Sequence, residues 1–153
     1  MNNYVLEGNN PKLFCLYYNQ CDKKKCTAYK LKDLEILKFV YKIRGTLNNA
    51  IILHPFSNIV IKAEDAERIK ENGLVVLDCS WKNIFKLDNI KSKNSRKLPS
   101  LIAANPVNYG KWEKLSSAEA LAAALYITKF INLADLILSK FSWGNEFKIL
   151  NGF

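Results

Sequence analysis

Four short apolar runs, none of which alternates with polar residues, constrain the fold of this chain most strongly. Runs of this kind are typical of strands that are covered on both faces, as in a parallel sheet. The spacing of apolar residues between them predicts helices over 31–43 and 62–73, the second ending at Gly73. Strands and helices in alternation indicate right-handed crossovers and an α/β architecture. The runs are "KLFCLYY" (12–18), "NNAIILHP" (48–55), "NGLVVLDCS" (72–80) and "KLPSLIAA" (97–104).

The last third of the chain follows a different pattern. Residues 116–141 have helical spacing throughout, and Ser116 and Glu119 are placed as a capping box at the start of a helix. No strand pattern is evident after them. We therefore expect an α/β parallel-sheet domain over residues 1–100, followed by an all-helical domain over residues 101–153.

The chain is strongly basic. Its 23 Lys and Arg against 14 Asp and Glu give a formal net charge of +9 and a sequence pI near 9.4. Such a surplus favours a polyanionic partner, most often nucleic acid, although a lysine-rich solvated surface is the alternative. The polar stretch 86–97 predicts a loop, and its basic residues either face RNA or are simply solvated.

The composition argues against a membrane protein and against a metal site. No run of 18 apolar residues occurs, and the opening "MNNYVLEGNNPK" lacks the pattern of a signal peptide, so we expect a cytoplasmic protein. Cys21 and Cys26 form a C-x4-C pair, but no second pair of Cys or His lies at ligand spacing and His54 is the sole histidine. We therefore expect reduced thiols and no metal.

Polar residues follow three of the predicted strands, at "LHP" (53–55), "DCSW" (78–81) and "AANPVNYG" (103–110). In open α/β sheets ligands bind outside the carboxyl ends of the strands, and the common nucleotide-binding and hydrolase motifs are absent elsewhere. These three loops could enclose one small molecule.

Trp81 and Tyr109 would supply aromatic walls to this pocket, and Leu53 and Leu101 aliphatic ones. The Asn-Pro turn would offer backbone groups to a purine edge. The alternative is that Trp81 belongs to an ordinary core and the turn merely begins a helix; the residues alone leave both open.

A further segment, "QCDKKKCTAYKL" (20–31), sets Asp22 and Thr27 among lysines. A run of charges is usually a solvated surface. The small and acidic residues between the lysines favour an anion-binding loop here.

Four motifs span nearly the whole chain, and the third is a block of about thirty residues. In chain order they are "CDKKKCT", "LDCSW", "RKLPSLIAANPVNYGKWEKLSSAEALAAALYI" and "FSWGNEF". This series resembles the motifs of the small-subunit ribosomal RNA aminocarboxypropyltransferases of archaea and eukaryotes.

The resemblance implies a SPOUT-like fold, in which a parallel sheet is followed by a helical part threaded into a deep trefoil knot. It implies binding of S-adenosylmethionine at the knot, with 103–110 as the cofactor loop. It also implies transfer of the 3-amino-3-carboxypropyl group to N3 of a modified uridine, N1-methylpseudouridine in many members, in small-subunit rRNA.

The site residues that the resemblance implies cluster at the three strand-end loops and the start of the C-terminal helix. For the cofactor we expect contacts from Thr27, Leu53, Pro55, Asp78, Trp81, Ile84, Leu101, Ala104, Asn105, Tyr109 and Ser116.

The chemistry suggests roles for some of them. Trp81 and Ile84 would bury the methyl group of the sulfonium and leave the aminocarboxypropyl carbon facing the RNA. Asp78 is the first candidate for the base that removes the imide proton, or for the partner of the cofactor's ammonium, and Asp22 is the second. Solvent could take the proton instead.

The expected partner is small-subunit rRNA or a pre-ribosomal subunit, bound by a monomer through lysines and arginines that contact phosphates. Two alternatives remain: a SPOUT-type RNA methyltransferase, which differs in the carbon presented to the RNA, and a non-enzymatic RNA-binding assembly factor. The RNA-binding residues we predict are Lys24, Lys25, Lys30, Arg68, Arg96 and Lys140.

Overall fold

A computed structural model of the chain describes residues 10–18, 24–78 and 93–153. The strands are β1 (Leu13–Tyr17), β2 (Lys38–Val40), β3 (Ile51–Leu53), β4 (Leu74–Asp78) and β5 (Ser95–Arg96). The helices are α1 (Thr27–Asp33), α2 (Ala66–Asn72), α3 (Ser117–Ile127), α4 (Ile131–Leu138) and α5 (Gly144–Leu150). Short 3-10 turns span Gly45–Asn49 and Ala63–Asp65.

The five strands form one sheet in the order β2-β1-β4-β3-β5, and every neighbouring pair is parallel. Parallel neighbours need a crossover connection, which α1 supplies between β1 and β2 and α2 supplies between β3 and β4. The expected α/β class with a parallel sheet is therefore confirmed.

The two faces of the sheet are covered unequally. One face, which includes Cys15 and Val76, packs against α1, α3, α4 and α5 in the main hydrophobic cluster. The other face, which includes Leu16 and Val75, packs against Leu47 of the first 3-10 turn in a smaller cluster. Residues on either side of residue 100 share the main cluster, and a domain division at that point stays a prediction.

The predicted helix over 62–73 is confirmed, as a 3-10 turn that runs into α2. Gly73 follows it with φ +97°, a conformation that favours glycine. A Cβ there would lie 2.9 Å from the main-chain oxygen of Lys12 and 2.8 Å from the Phe14 ring. Glycine therefore both ends the helix and lets β4 begin close beside β1.

The predicted helix over 31–43 is wrong beyond its first three residues. The helix ends at Asp33, Glu35 has φ 59°, and the chain then enters β2. The aromatic and β-branched residues Phe39 and Val40 pair with β1, where Phe39 also stacks on Tyr17 at 4.3 Å. Pairing with β1 thus determines the structure of this segment, although the spacing of its apolar residues is also compatible with a helix.

The predicted strand over 97–104 is also wrong. Lys97 and Ile102 make only isolated bridges, with Val60 and Trp112, and β5 lies just before them, inside the stretch we expected to be a loop. Pro99 cannot donate a ladder hydrogen bond. The apolar residues that suggested a strand, Leu101 and Ala103, are buried because this loop enters the core.

The C-terminal part is helical, but not as one helix. Residues 116–141 are interrupted at Lys129, whose φ is 71°, between α3 and α4. The capping box at Ser116 and Glu119 is confirmed, with both reciprocal hydrogen bonds present. Gly144 begins α5 so close to α4 that a Cβ would lie 2.0 Å from the main-chain oxygen of Leu138. None of the helices in the described residues is long and apolar enough to cross a bilayer.

Candidate functional site

The carboxyl ends of the three central strands meet at one edge of the sheet. Tyr17 pairs with Asp78 at the ends of β1 and β4, and Leu53 ends β3 beside Val76. The main chains of Leu53 and Asp78 therefore lie at the ends of neighbouring strands, an order that the sequence analysis did not predict. This edge is where ligands bind in open α/β sheets.

The predicted cofactor residue Pro55 lies in a tight turn at that edge. The turn is fixed at both ends, because the His54 amide donates to the Arg96 carbonyl at 2.8 Å and the Ser57 amide donates to the His54 carbonyl at 3.1 Å. The His54 side chain is buried and its Nδ1 accepts from the Phe56 amide at 3.1 Å. Pro55 itself is exposed.

Glu119, which the sequence identified only as a capping residue, holds the predicted cofactor loop. Its side chain is fully buried. Oε2 accepts from the Ala104 amide at 2.7 Å, and Oε1 accepts from the Asn105 side-chain amide at 2.6 Å. Oε1 also accepts from the amide and the hydroxyl of Ser116, each at 2.9 Å. One carboxylate thus joins three of the predicted cofactor residues to the start of α3.

The loop after Ala104 closes on itself. The Ala103 amide donates to the Lys111 carbonyl at 2.9 Å, and the Gly110 amide donates back to the Ala103 carbonyl at 2.7 Å. Inside the loop, the Asn108 amide donates to Oδ1 of Asn105 at 3.0 Å. The Asn105 side chain therefore makes two bonds that hold the bend: its amide group donates to Glu119, and its Oδ1 accepts from Asn108.

Helix α5 holds the same loop from the other side. The Asn151 side chain accepts from the Ile102 amide at 2.8 Å and donates to the Ile102 carbonyl at 2.9 Å. It thus satisfies both main-chain groups of Ile102, as the main chain of a neighbouring strand would. The Tyr109 hydroxyl donates to Glu146 at 3.1 Å, and this bond raises the pKa of the exposed Tyr109 phenol. The sequence analysis assigned no role to Asn151, which lies outside the four motifs, or to Glu146, which lies within the motif "FSWGNEF".

Thr27 belongs to this assembly through its hydroxyl. Its Oγ1 accepts from the Ala118 amide at 3.0 Å, so it satisfies one of the unpaired donors of the first turn of α3. The contact connects the start of α1, next to Lys24 and Lys25, with the helix that Ser116 caps. The predicted residues Thr27 and Ser116 therefore meet at the same helix end.

The aliphatic residues predicted as pocket walls share one environment. Leu53, Leu101 and Ala104 are buried and all belong to the main hydrophobic cluster. Tyr109 is 58% exposed, so its ring stands at the outer surface of the loop. In the described residues no group of His, Cys, Asp and Glu could hold a metal ion.

The predicted RNA-binding lysines lie just before α1, within α1 and after α4. Lys24 and Lys25 are exposed just before α1. Lys30 donates to the Lys140 carbonyl at 2.6 Å and lies 4.9 Å above the Phe141 ring. Those two predicted lysines therefore lie close together, at the junction between α4 and α5.

The two predicted arginines lie elsewhere. Arg96 forms an ion pair with Asp65 at 3.2 Å, and its side chain is only 14% exposed. Arg68 donates to the Asn49 carbonyl at 3.3 Å, beside the entry of β3 and away from the edge where Leu53 lies. Asp22, Trp81 and Ile84 lie outside the described residues, as does the side chain of Asp78.

Comparison with known proteins adds a second line of observation. The sequence profile of a family described as "Ribosome biogenesis protein, C-terminal" matches residues 51–152. A protein of Methanobrevibacter smithii named 16S rRNA aminocarboxypropyltransferase is 44% identical over 146 residues, covering 92% of this chain and 83% of its own. One of the same name from Methanocaldococcus jannaschii is 43% identical over 147 residues, with the same coverage.

This chain belongs to the 16S rRNA aminocarboxypropyltransferase family. A solved structure from Vulcanisaeta distributa, described as the SAM-dependent rRNA:acp-transferase Tsr3, has a TM-score of 0.87 and 38% identity to it, covering 93% of this chain and 79% of its own. The resemblance inferred from the four motifs is confirmed at the level of the aminocarboxypropyltransferase family. The α/β fold with its parallel sheet is also shared with a member of that family.

Proposed function

We propose that this chain transfers the 3-amino-3-carboxypropyl group of S-adenosylmethionine to N3 of a uridine or N1-methylpseudouridine in small-subunit rRNA. The observation that carries the proposal is identity of 42–45% to several proteins named 16S rRNA aminocarboxypropyltransferase, each aligned over 92% of this chain. The structural likeness to a SAM-dependent rRNA:acp-transferase supports it. The chain would act in ribosome biogenesis, in the cytoplasm and as a monomer.

The described residues fit this cofactor. Its adenine and thioether need apolar walls, and Leu53, at the end of β3, shares the main hydrophobic cluster with Leu101 and Ala104. The loop that begins at Ala104 is held in place by Glu119, so its main chain is ordered before any ligand arrives. Preorganisation of this kind lowers the entropic cost of binding.

The reaction that the cofactor supports, when bound, is displacement at the sulfonium. The N3–carbon bond forms, the carbon–sulfur bond breaks, and methylthioadenosine leaves with the electron pair on sulfur. The N3 proton must leave as well, and Asp78 at the end of β4 is our first candidate to accept it, or to orient the ammonium instead. Asp22 is the second candidate.

The choice between methyl and aminocarboxypropyl transfer depends on which carbon faces the nucleophile. We propose that Trp81 and Ile84 cover the methyl carbon, and that Thr27 lies close to the aminocarboxypropyl group. Two contacts support this role of Thr27: its hydroxyl lies at the start of α3, and Ser116 caps the same helix end. Pro55 and Tyr109 would line the outer part of the site.

We further propose the SPOUT-like trefoil knot for the region from residue 101 onward. Its support is the resemblance to the family motifs; the bridge between Ile102 and Trp112 and the bond from Ile102 to Asn151 show that this loop closes and meets the last helix turn. The knot helix would then be α3, which Glu119 joins to the cofactor loop.

For RNA, we propose Lys24, Lys25 and Lys30 as the main phosphate contacts. Lys24 and Lys25 are exposed at the start of α1, next to Thr27. Lys140 would assist through its position beside Lys30. Arg68 and Arg96 stay in the proposal with weaker support, because Arg96 already pairs with Asp65 and Arg68 contacts Asn49.

Identification of the small-molecule product tests this function. The purified chain is incubated with S-adenosylmethionine and small-subunit rRNA that lacks the modification, and the nucleoside product is separated by chromatography. Methylthioadenosine formed only when RNA is present supports aminocarboxypropyl transfer. S-adenosylhomocysteine would indicate a methyltransferase, and no product together with no cofactor binding would indicate a non-enzymatic assembly factor.

A further inference from the structure

We propose that Trp112 stacks on an unpaired base of the RNA substrate next to the modified nucleotide, with Lys111 and Lys114 contacting the adjacent phosphates. The inference rests on the proposed function, because it names a residue that would hold the RNA of that reaction. Trp112 lies within the third family motif, but the sequence analysis gave it no role. The role proposed here comes from its position in the structure.

The Trp112 side chain is largely exposed and lies in a loop with two other exposed apolar side chains. It is 59% exposed, and Val107 and Tyr109 of the same loop are 69% and 58% exposed. Within the described residues no aromatic ring and no cation packs on the indole. Single exposed apolar side chains are ordinary, but several exposed in one loop form a patch of the kind that binds a partner.

The main chain at Trp112 is fixed. Trp112 pairs with Ile102 in an antiparallel bridge, and Ile102 is bonded on both its amide and its carbonyl to Asn151. Residues that face each other in such a bridge direct their side chains to the same side. The half-buried Ile102 therefore supports the inner part of this surface, and Trp112 forms the outer part.

The next residue reinforces this arrangement. Glu113 has φ 59°, in the left-handed region, and its amide donates to the Leu101 carbonyl at 3.0 Å. Its carboxylate accepts from the Ser100 hydroxyl at 3.0 Å. A non-glycine residue held there by two bonds costs free energy that the surrounding contacts must offset. The main chain thus changes direction at Glu113, immediately after Trp112. The exposed indole lies at this change of direction.

The loop that carries Trp112 begins in the proposed cofactor site. Ala104 and Asn105, two and three residues beyond Ile102, are bonded to the buried carboxylate of Glu119. A base stacked on Trp112 would therefore lie at the rim of the site rather than inside it. This location suits a neighbour of the target nucleotide, whose own base must enter the pocket.

The local chemistry favours single-stranded RNA over a protein partner. Lys111 precedes the tryptophan and Lys114 follows it within two residues, in a chain whose net charge is +9. Proteins that bind unpaired strands combine aromatic platforms with basic residues along the backbone. Because every base has a π face, such a platform holds the strand without reading its sequence.

Titration of a fluorescent single-stranded segment of the rRNA substrate, with S-adenosylmethionine present, tests the inference. Trp112→Ala should weaken RNA affinity about 5- to 100-fold, the range for loss of one stacked base, while the slope against salt stays unchanged. Trp112→Phe should recover most of the affinity. Lys111→Ala should instead lower the salt slope by about 0.7, as expected for one contact to a single strand.

Two controls separate stacking from damage to the fold. Ile149→Ala removes an equally exposed apolar side chain, 65% exposed on α5, and should leave RNA affinity unchanged. An RNA of the same length with abasic sugars at the positions beside the target should bind the native chain as weakly as normal RNA binds Trp112→Ala. Cofactor affinity should be equal in all variants.

The outcomes distinguish this inference from the proposed function. If the native chain modifies RNA and Trp112→Ala raises the KM for RNA with kcat nearly unchanged, both stand. If the native chain modifies RNA and Trp112→Ala has the native KM and affinity, the platform is refuted and the function stands, and the exposed indole would belong to a protein contact. If the native chain transfers nothing, the function fails whatever Trp112 does to binding.

Discussion

Asn105 and Glu119 are joined by a hydrogen bond of 2.6 Å from the side-chain amide of Asn105 to Oε1 of Glu119, and both residues are buried. They lie fourteen residues apart, one in the proposed cofactor loop and the other in the first turn of α3. This bond, with the one from Ala104, makes the shape of the loop depend on a single carboxylate.

Glu119→Gln should test that dependence with little change in volume. If the side-chain carbonyl of the glutamine takes the place of Oε1, it still accepts from Asn105 and Ser116. The side-chain NH2 group then takes the place of Oε2 and faces the Ala104 amide, so that two donors oppose each other. We expect a loss of about 2 kcal/mol in the free energy of unfolding, measured with urea, because a buried donor is left unpaired. Cofactor affinity should fall as well.

Glu146→Gln is the matched control, because Glu146 is exposed and bonds to the same loop only through Tyr109. It should change stability by less than about 0.5 kcal/mol. Equal stability and equal cofactor affinity of Glu119→Gln and the native chain would contradict the role assigned to this carboxylate.

Thr27→Val should destabilise the chain because it removes the oxygen that accepts from the Ala118 amide. The loss expected for a capping bond is about 1 kcal/mol in the free energy of unfolding. Thr27→Ser keeps the hydroxyl and should stay within about 0.5 kcal/mol of the native chain. The assignment fails if Ser and Val variants unfold at the same urea concentration.

Much of this arrangement was readable from the sequence. The strands β1, β3 and β4 fall inside the apolar runs that predicted them. Each strand is buried on both faces, so its own sequence is a continuous apolar run that can be recognised without knowledge of its neighbours. The capping box at Ser116 is likewise a local signal. The third family motif contains the loop that we propose binds the cofactor, although its residues do not follow a strand as expected.

The features that the sequence analysis missed or predicted wrongly depend on contacts between residues far apart in the sequence. Nothing local says that Ile102 will bond to Asn151, forty-nine residues away, or that a glutamate in an alanine-rich helix will be fully buried by a loop. The sequence had identified Glu119 only as a capping residue. Its position within the apolar run 118–125 is the one signal that could have indicated its burial. The division of residues 31–43 between α1 and β2 was decided by sheet pairing, which spacing does not encode.

Asp135 should give the fold an acid-sensitive contribution. The Tyr126 hydroxyl donates to its carboxylate, and this bond, followed by the ion pair with Lys148 at 3.0 Å, lowers the pKa of Asp135 against the opposing effect of burial. A lowered folded pKa means that the stabilisation is present above the unfolded value of about 3.9 and is lost as the pH falls through the folded pKa.

Asp135→Asn removes the titrating group. The native chain should be the more stable by about 0.5–1 kcal/mol from pH 5 to 8, a small figure because the side chain is 45% exposed. The difference should shrink toward zero below pH 3. Urea unfolding at a series of pH values measures it, and a difference that stays constant down to the lowest pH would contradict the account.

Lys24→Ala together with Lys25→Ala should flatten the dependence of RNA affinity on salt. Two contacts to a single strand correspond to a change of about 1.4 in the slope of log affinity against log salt. Lys12→Ala, at the opposite, entry end of β1, is the control for a lysine outside the site and should leave the slope unchanged. An unchanged slope in the double variant would remove these lysines from the RNA interface.

The fate of the donor's carbon atoms tests the central claim most directly. The native chain is incubated with unmodified small-subunit rRNA and S-adenosylmethionine labelled either in the methionine carboxyl carbon or in the methyl carbon. The account predicts that the carboxyl label enters the RNA and the methyl label does not. Entry of the methyl label without the carboxyl label would contradict aminocarboxypropyl transfer and identify the chain as an RNA methyltransferase.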